Sequence, residues 1–532
     1  MKLLLTNTLL ILTLSASAQV TNEIVLYAKP GTDVKVVGDF ANSASGTFTV
    51  DANAALHVDG DLNNNGLITF ENNASLMRIS TSADGGSGTY RVKRQGTTGQ
   101  KFNLWSSPVV ASGTTPGSIS YSFDETVATQ SDQDDAPADI GWNIHSGNMT
   151  PGEGYGGLGA GLVTFSDNAV NNGTITSGLH VATYDASHTS VTGGTPFNLV
   201  GNPYPSAIDA WKLVNDPSNA NIHGSIYFWD DDGSGGTGYS YNDYSIWNAS
   251  GGLPAVTSGG GGSNVPNGII PTAQGFMVRN ETATQLTFKN AMRVVNNSSN
   301  RFFKTNGSNN RLWLSINGTA AFNQILVNLN EDATEGEDRL YDAVKVQGNK
   351  DLSLSAHSNG NNYAIIAFPP PFIDKTLPLS LFVSADGSYS FKADIMEGFK
   401  GYDVYLQDVV KGTNQLVTEG KAIEVALKAG KHADRFYLNF ARTATPTGIA
   451  NAEENNLVAY AANDFLHVGC TTCASNATIT LLDMSGRMVL TANNPQFNGG
   501  NASIALNGLS TGVYVVRVTT DKQTLSQKII KH

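Results

Sequence analysis

Gly508-Leu509-Ser510-Thr511-Gly512 has the Gly-x-Ser-x-Gly spacing of a hydrolase nucleophile elbow, which needs a strand before the serine and a helix after it. Here the run Val513 to Thr519, dense in β-branched and aromatic residues, comes afterwards, so the motif reads as a turn before a buried strand. Gly154-Tyr155-Gly156-Gly157-Leu158-Gly159 fits Gly-x-Gly-x-x-Gly, but glycine continues at Gly161 and no helical pattern follows, so a turn in a β-domain is expected rather than a dinucleotide site. Asp230, Asp232 and Ser234, with Gly235 sixth, copy the first half of a calcium loop, in which alternate oxygens converge on a hard cation. Position twelve is Tyr241 instead of the bidentate Glu, which excludes an EF-hand and leaves a looser calcium site that could borrow Asp243. Asp132, Asp134, Asp135 and Asp139 form a second acidic cluster.

Aromatic faces stack on carbohydrate, and six tryptophans occur: Trp105, Trp142, Trp211, Trp229, Trp247 and Trp313. Most large aromatics in β-domains are core residues. Trp229 and Trp247 are the candidates for a ligand-facing role, because they flank a Gly/Asp-rich insertion and loops carry binding function. The nine histidines show no His-Glu-x-x-His spacing. The two cysteines, Cys470 and Cys473, lack the further ligands of a zinc site and the βαβ context of a redox pair, which leaves a local disulfide as the simplest reading. No catalytic constellation can be assembled, and the chain leans away from being an enzyme.

These residues sit in a chain of 532, too long for one core. Only 14% of residues are charged while glycine numbers 56, a balance of turn-rich β-proteins. The net charge of −13 argues against nucleic acid as a partner. Lys2, the apolar run Leu3 to Leu14 and the small-residue site Ala16-Ser17-Ala18 have the form of a signal peptide over 1–18, with Gln19 opening the mature chain.

Downstream, Gly38-Asp39-Phe40 recurs as Gly60-Asp61-Leu62 and Phe48 as Phe70, both at an offset of 22, while Asn53-Ala54-Ala55-Leu56 recurs as Asn73-Ala74-Ser75-Leu76 at an offset of 20. A period near 20 with Asn/Gly turns predicts about two coils of a solenoid-like β-repeat over 19–95. Between 96 and 300 a duplicated β-domain is expected: Phe102-Asn103-Leu104 with Pro108 matches Phe197-Asn198-Leu199 with Pro203, and Pro151 to Tyr155 matches Pro271 to Phe276. The later copy carries a Gly/Asp-rich insertion over 230–263. Ser206 with Asp209 resembles a capping box and predicts one short helix through Ile208 and Trp211. Period-two runs such as Leu312, Leu314 and Ile316, or Phe436, Leu438 and Phe440, predict an antiparallel β-sandwich over 301–442. The polar stretch 443–456 reads as a linker.

The last segment, 457–532, contains two hairpins. Asp483-Met484-Ser485-Gly486-Arg487 is a tight turn between short strands, and Val513 to Ile530 is a hairpin across a polar turn at 520–523. The order of these features, a hairpin around Asp483 to Arg487, then Leu506 to Val518, then a basic end at Lys528 to His532, resembles the C-terminal sorting domain of the type IX secretion system of Bacteroidetes. Where many relatives open with Tyr-Pro-Asn-Pro, this chain has Tyr460-Ala461-Ala462-Asn463. The resemblance implies an Ig-like β-sandwich read by the secretion machinery, with Asp483, Gly486, Arg487, Leu509, Gly512, Tyr514, Lys528 and Lys531 as the signal residues. It also implies export to the outer-membrane cell surface. Asn198 to Ser206 similarly resembles a segment common in secreted Bacteroidetes surface proteins, from which no activity follows.

The sequence thus predicts an all-β, multidomain, secreted or cell-surface protein, adhesin-like or structural, with a carbohydrate-binding or polysaccharide-degrading protein as the rival. Calcium is the one cofactor suggested. Partners expected are the secretion machinery and a glycan or host-surface ligand.

Overall fold

The computed structural model describes residues 2–5, 10–12, 19–110, 121–127, 141–184, 194–231, 244–255, 265–295, 310–319, 322–346, 351–370, 375–399, 401–442, 457–462, 464–470, 477–497, 501–520 and 524–531. Strands dominate throughout, and the one α-helix among these residues spans Ala210–Val214. The all-β expectation holds. The chain divides into two compact units, Met1–Ala441 and Arg442–His532.

The first unit begins with stacked coils of three short strands each. Val20–Asn22, Phe40–Asn42 and Leu62–Asn64 stack in parallel, as do Val25–Ala28, Thr47–Val50 and Leu67–Phe70, and Asp33–Val36, Ala55–Val58 and Ser75–Arg78. There are therefore three coils between Val20 and Arg78, one more than the residue repeats suggest. The first coil hides because its corner residue is Gly31, at φ +72°, where the next two coils place Asn53 and Asn73 in the same left-handed region. The register also shows that Phe48 stacks on Ile68, not on Phe70, whose partner is Val50. Inside the stack, the Asn22 amide donates to Asn42 Oδ1 and the Asn42 amide to Asn64 Oδ1, each at 2.8 Å. This buried ladder satisfies the polar groups of a corner that apolar residues could not serve. The short strands Lys2–Leu5 and Leu10–Leu12 continue the backbone pairing on the first coil.

The third coil passes into a long strand, Thr89–Trp105, parallel to Leu67–Phe70 on one side and antiparallel to Tyr155–Asp167 on the other. The Gly154 to Gly161 stretch is thus mostly strand, not the turn expected from its glycines. Glycine is required there by close approach: a Cβ on Gly156 would enter the Phe102 ring, and one on Gly154 the Leu199 side chain.

Register relates the two Phe-Asn-Leu strands. Trp105 pairs with Tyr155 in the first, and Val200 with Phe276 in the second. The two pairs also bridge one another reciprocally, Trp105 to Gln274 and Glu153 to Val200. Equivalent hydrogen bonds follow, Ser106 N–H to Ala273 O and Gly201 N–H to Gly152 O, and both acceptors have positive φ, +57° at Ala273 and +88° at Gly152. The second pair grows into a five-stranded sheet of Phe197–Gly201, Gly275–Arg279, Ile226–Trp229, Tyr244–Asn248 and Gly251–Leu253. The helix starts later than its sequence suggests. Ser206 is buried beside the strand Ala207–Asp209, and Asp209 itself is the N-cap, accepting from the N–H groups of Trp211 and Lys212.

The remainder of this unit is an eleven-stranded sheet curled around one core, in which Phe391 meets Phe436 at 5.0 Å between ring centroids. Among the described residues the strand pairs are antiparallel as expected, except that Phe322–Leu329 runs parallel to Asn361–Phe368 and Ala393 makes an isolated parallel bridge to Glu419. The second unit packs a three-stranded sheet and a four-stranded sheet around Leu466, Val468, Ile479, Leu481, Val516 and Val518. The polar stretch 443–456 lies outside the described residues.

Candidate functional site

In the C-terminal unit, strand register brings most of the residues that the sequence resemblance implies as the signal to one end. Leu482, the last residue of Ala477–Leu482, pairs with Val515, near the start of Gly512–Thr520, and Gly512 pairs with Lys531 at the end of Thr524–Lys531. The Asp483 to Arg487 turn therefore projects beside the entry and exit of the last hairpin. Asp483 organises the turn: its Oδ1 accepts the Ser485 hydroxyl at 2.6 Å and the Ser485 and Arg487 N–H groups at 3.0 Å, and its Oδ2 accepts from Arg487 Nε at 3.0 Å. The Ser485 hydroxyl first, then the Arg487 N–H, hold the Asp483 carboxyl down at about 2. Gly486 supplies the required φ of +82°. The turn leaves Met484, Arg487 and Met488 exposed.

A second fastening lies alongside. Lys531 Nζ donates to Leu509 O at 2.9 Å and pairs with Asp464 Oδ1 at 3.0 Å, while the Tyr514 hydroxyl donates to Ser510 O at 2.8 Å. Ser510 is thus held in a loop that opens a strand, with no helix after it. Asp464, at φ +60° on the tip between Leu457–Ala462 and Phe465–Cys470, is a member of this cluster that sequence reasoning missed. Its non-glycine positive φ is visible only in three dimensions. Lys528 stands exposed farther along the last strand, opposite Val515. Chemically, the end of the unit combines fixed cations with exposed thioether and aromatic side chains, Phe465 among them. That combination suits protein recognition.

In the larger unit an open groove of about 460 Å³ lies between the five-stranded and eleven-stranded sheets, lined by Trp247, Trp313, Phe322, Arg311, Ile395 and Glu397 among others. Arg311 Nε donates to Glu397 Oε2 at 2.8 Å, Gln324 to Asp394 Oδ2 at 2.8 Å, and Lys392 pairs with Asp394 at 3.0 Å. Trp313 Nε1 donates to Gly252 O at 2.9 Å, fixing its ring in the groove wall. Ile395 is 45% exposed, although the alternation Tyr389, Phe391, Ala393 would turn it inward; a bulge between Trp313 and Leu314 reverses the face.

The two tryptophans singled out from sequence occupy different surroundings. Trp247 is 1% exposed and belongs to the core that borders the groove. Trp229 is half-buried and meets Tyr244 edge-on at 5.0 Å. Asp230 precedes Asp231, whose carboxylate accepts the Phe102 N–H at 2.6 Å. Asp232, Ser234 and Asp243 lie outside the described residues, as do Asp132, Asp134, Asp135, Asp139 and Cys473. Among the described residues no group of three or more His, Cys, Asp or Glu side chains is placed to hold a metal ion, and no helix is long and apolar enough to cross a membrane.

Comparison with known proteins follows the same division. A family model described as "Domain of unknown function (DUF8693)" matches residues 21–440, and one described as "Secretion system C-terminal sorting domain" matches residues 462–532. No curated protein sequence matches. Among solved structures, the chain is similar to "Biofilm associated protein - BSP domain" at 10% identity, over 83% of this chain and 95% of that one, with a TM-score of 0.14. The chain belongs to the DUF8693 family. Its sorting domain makes it cargo of the type IX machinery, secreted to the cell surface or the extracellular space.

Proposed function

We propose that this secreted DUF8693 member is an adhesin-like surface protein, whose larger unit grips a partner rather than transforming it. One observation carries the reading: both carboxylates facing the groove are engaged by neighbours, Glu397 by Arg311 and Asp394 by Lys392 and Gln324, while Ile395 stands free to make contact. Such a surface offers apolar area framed by fixed polar groups, which is how binding sites obtain affinity and orientation. On this reading residues 1–18 direct the chain into the periplasm of a Bacteroidetes cell, and the sorting domain then takes it to the surface.

The groove also favours a second reading, carbohydrate binding, since Phe322 and Trp313 beside Asp394, Glu397 and Gln324 would suit the apolar face and hydroxyls of a sugar. Ile395→Asp separates the two, because the side chain is surface-exposed and the fold should tolerate the change. Surface display with cell-adhesion counts and a glycan array are the measurements. Adhesion lost in the variant with a blank array supports the adhesin. Array binding lost in the variant supports the sugar reading. Adhesion unchanged by Ile395→Asp together with a blank array contradicts both, as does substrate turnover abolished by Asp394→Asn.

A further inference from the structure

Lys345 is 8% exposed and Asn323 fully buried, yet the only hydrogen-bond partner of Lys345 Nζ among the described residues is Asn323 Oδ1, at 2.7 Å. A buried ammonium without a carboxylate partner is costly, and proteins seldom keep one. Asn323 lies on Phe322–Leu329, and Lys345 directly follows Ala343–Val344. These two strands flank Asn361–Phe368, the first parallel to it and the second antiparallel. Lys345 is anchored beside that middle strand by its own N–H, which donates to Asn362 O at 2.8 Å. The Asn323 amide is held from its other end, Nδ2 donating to Leu352 O at 3.3 Å. Amine and carboxamide are thereby fixed against each other within the apolar core that contains Ile325, Val344 and Leu352.

We propose that Lys345 and Asn323 form an intramolecular isopeptide bond, a covalent staple across the middle strand of the larger unit. The Lys345 Nζ lone pair attacks Asn323 Cγ; the Nζ–Cγ bond forms, the Cγ–Nδ2 bond breaks, and the proton given up by Nζ leaves with Nδ2 as ammonia. No oxidant or further reactant is needed. Burial pulls the Lys345 amine down to about 8, so its uncharged, nucleophilic form is accessible near neutral pH. Holding the reacting groups in contact replaces a bimolecular encounter. The product is a neutral amide, which removes the buried charge. It also ties two strands that, among the described residues, pair with the middle strand and not with each other, a benefit to a protein exposed outside the cell.

Peptide mapping of the full chain by mass spectrometry tests this. Trypsin should fail to cut after Lys345 and should release residues 312–339 joined to residues 340–350, lighter than the sum of the separate peptides, as hydrolysed, by one ammonia. Asn323→Ala should restore cleavage after Lys345 and remove the joined species. Recovery from the wild-type chain of separate peptides 312–339 and 340–345 at their unmodified masses would overturn the proposal, whether or not the variant folds.

Discussion

Replacing Arg293 by methionine is expected to lower the unfolding free energy of the larger unit by about 2–5 kcal/mol, since two buried acceptors left without a donor cost about 1–3 kcal/mol each. Arg293 is 3% exposed and joins parts of the chain far apart in sequence. Its guanidinium donates to the Leu76 carbonyl of the third coil, to Ser206 Oγ at 3.1 Å and to Asn172 Oδ1 at 3.2 Å, and it lies over the Tyr204 ring at 4.9 Å. Burial draws its pKa down to about 9, opposed by Tyr204. Methionine would fill much of the volume and take the donor from the Leu76 carbonyl and Ser206 Oγ, while Asn172 Oδ1 keeps its bond from the Asn290 amide, and the cost arises at the first two. Arg293→Lys should recover only part of it, because an ammonium cannot reproduce the planar fork. Denaturant unfolding of the full chain, followed through the transition of the larger unit, gives the number; a loss below about 1 kcal/mol, the worth of an ordinary surface pair, would show that the third coil and the short strands Ala207–Asp209 and Arg293–Val294 are held otherwise.

Lys531→Glu should leave the second unit folded while reducing surface-delivered protein by about tenfold. Lys531 is mostly buried and fastens both Leu509 O and Asp464, so the substitution removes a charge-assisted hydrogen bond and places like charges together. Loosening this end by about 1.4 kcal/mol corresponds to that factor of ten in any equilibrium that requires it ordered. Gln527→Glu, at an exposed position on the same strand and outside the residues that the resemblance marks, is the comparison. Surface labelling of intact cells, normalised to total protein, distinguishes the two; equal delivery by both variants would show that the Lys531 fastening is not part of the signal.

Much of this was legible because local chemistry dictated it. The Asp483 turn follows from an aspartate able to cap its own loop and a glycine at the left-handed position. The Asn53 and Asn73 corners announced a repeating coil, but Gly31 does the same work without matching them, so one coil went uncounted. Pattern failed where tertiary contact overrides it. Glycines 154 to 159 look like a turn, yet they are small because Phe102 and Leu199 occupy the space their side chains would need. Ile395 faces outward because of a bulge opposite Trp313, and no periodicity reports a bulge. The helix start moved to Asp209 because Ser206 is drawn into the buried network around Arg293. Asp464 and Lys345 carry no sequence motif at all; each matters through a partner on another strand.

The central claim is that residues 457–532 are a self-sufficient address and that the groove-bearing unit is its cargo. The most direct test fuses this segment to an unrelated periplasmic reporter and, in parallel, removes it from the native chain. The account predicts that the reporter appears at the cell surface or in the medium in cells with an intact type IX system and remains in the periplasm without one, while the truncated chain folds but stays in the periplasm. Surface delivery of the truncated chain at the wild-type level would contradict it.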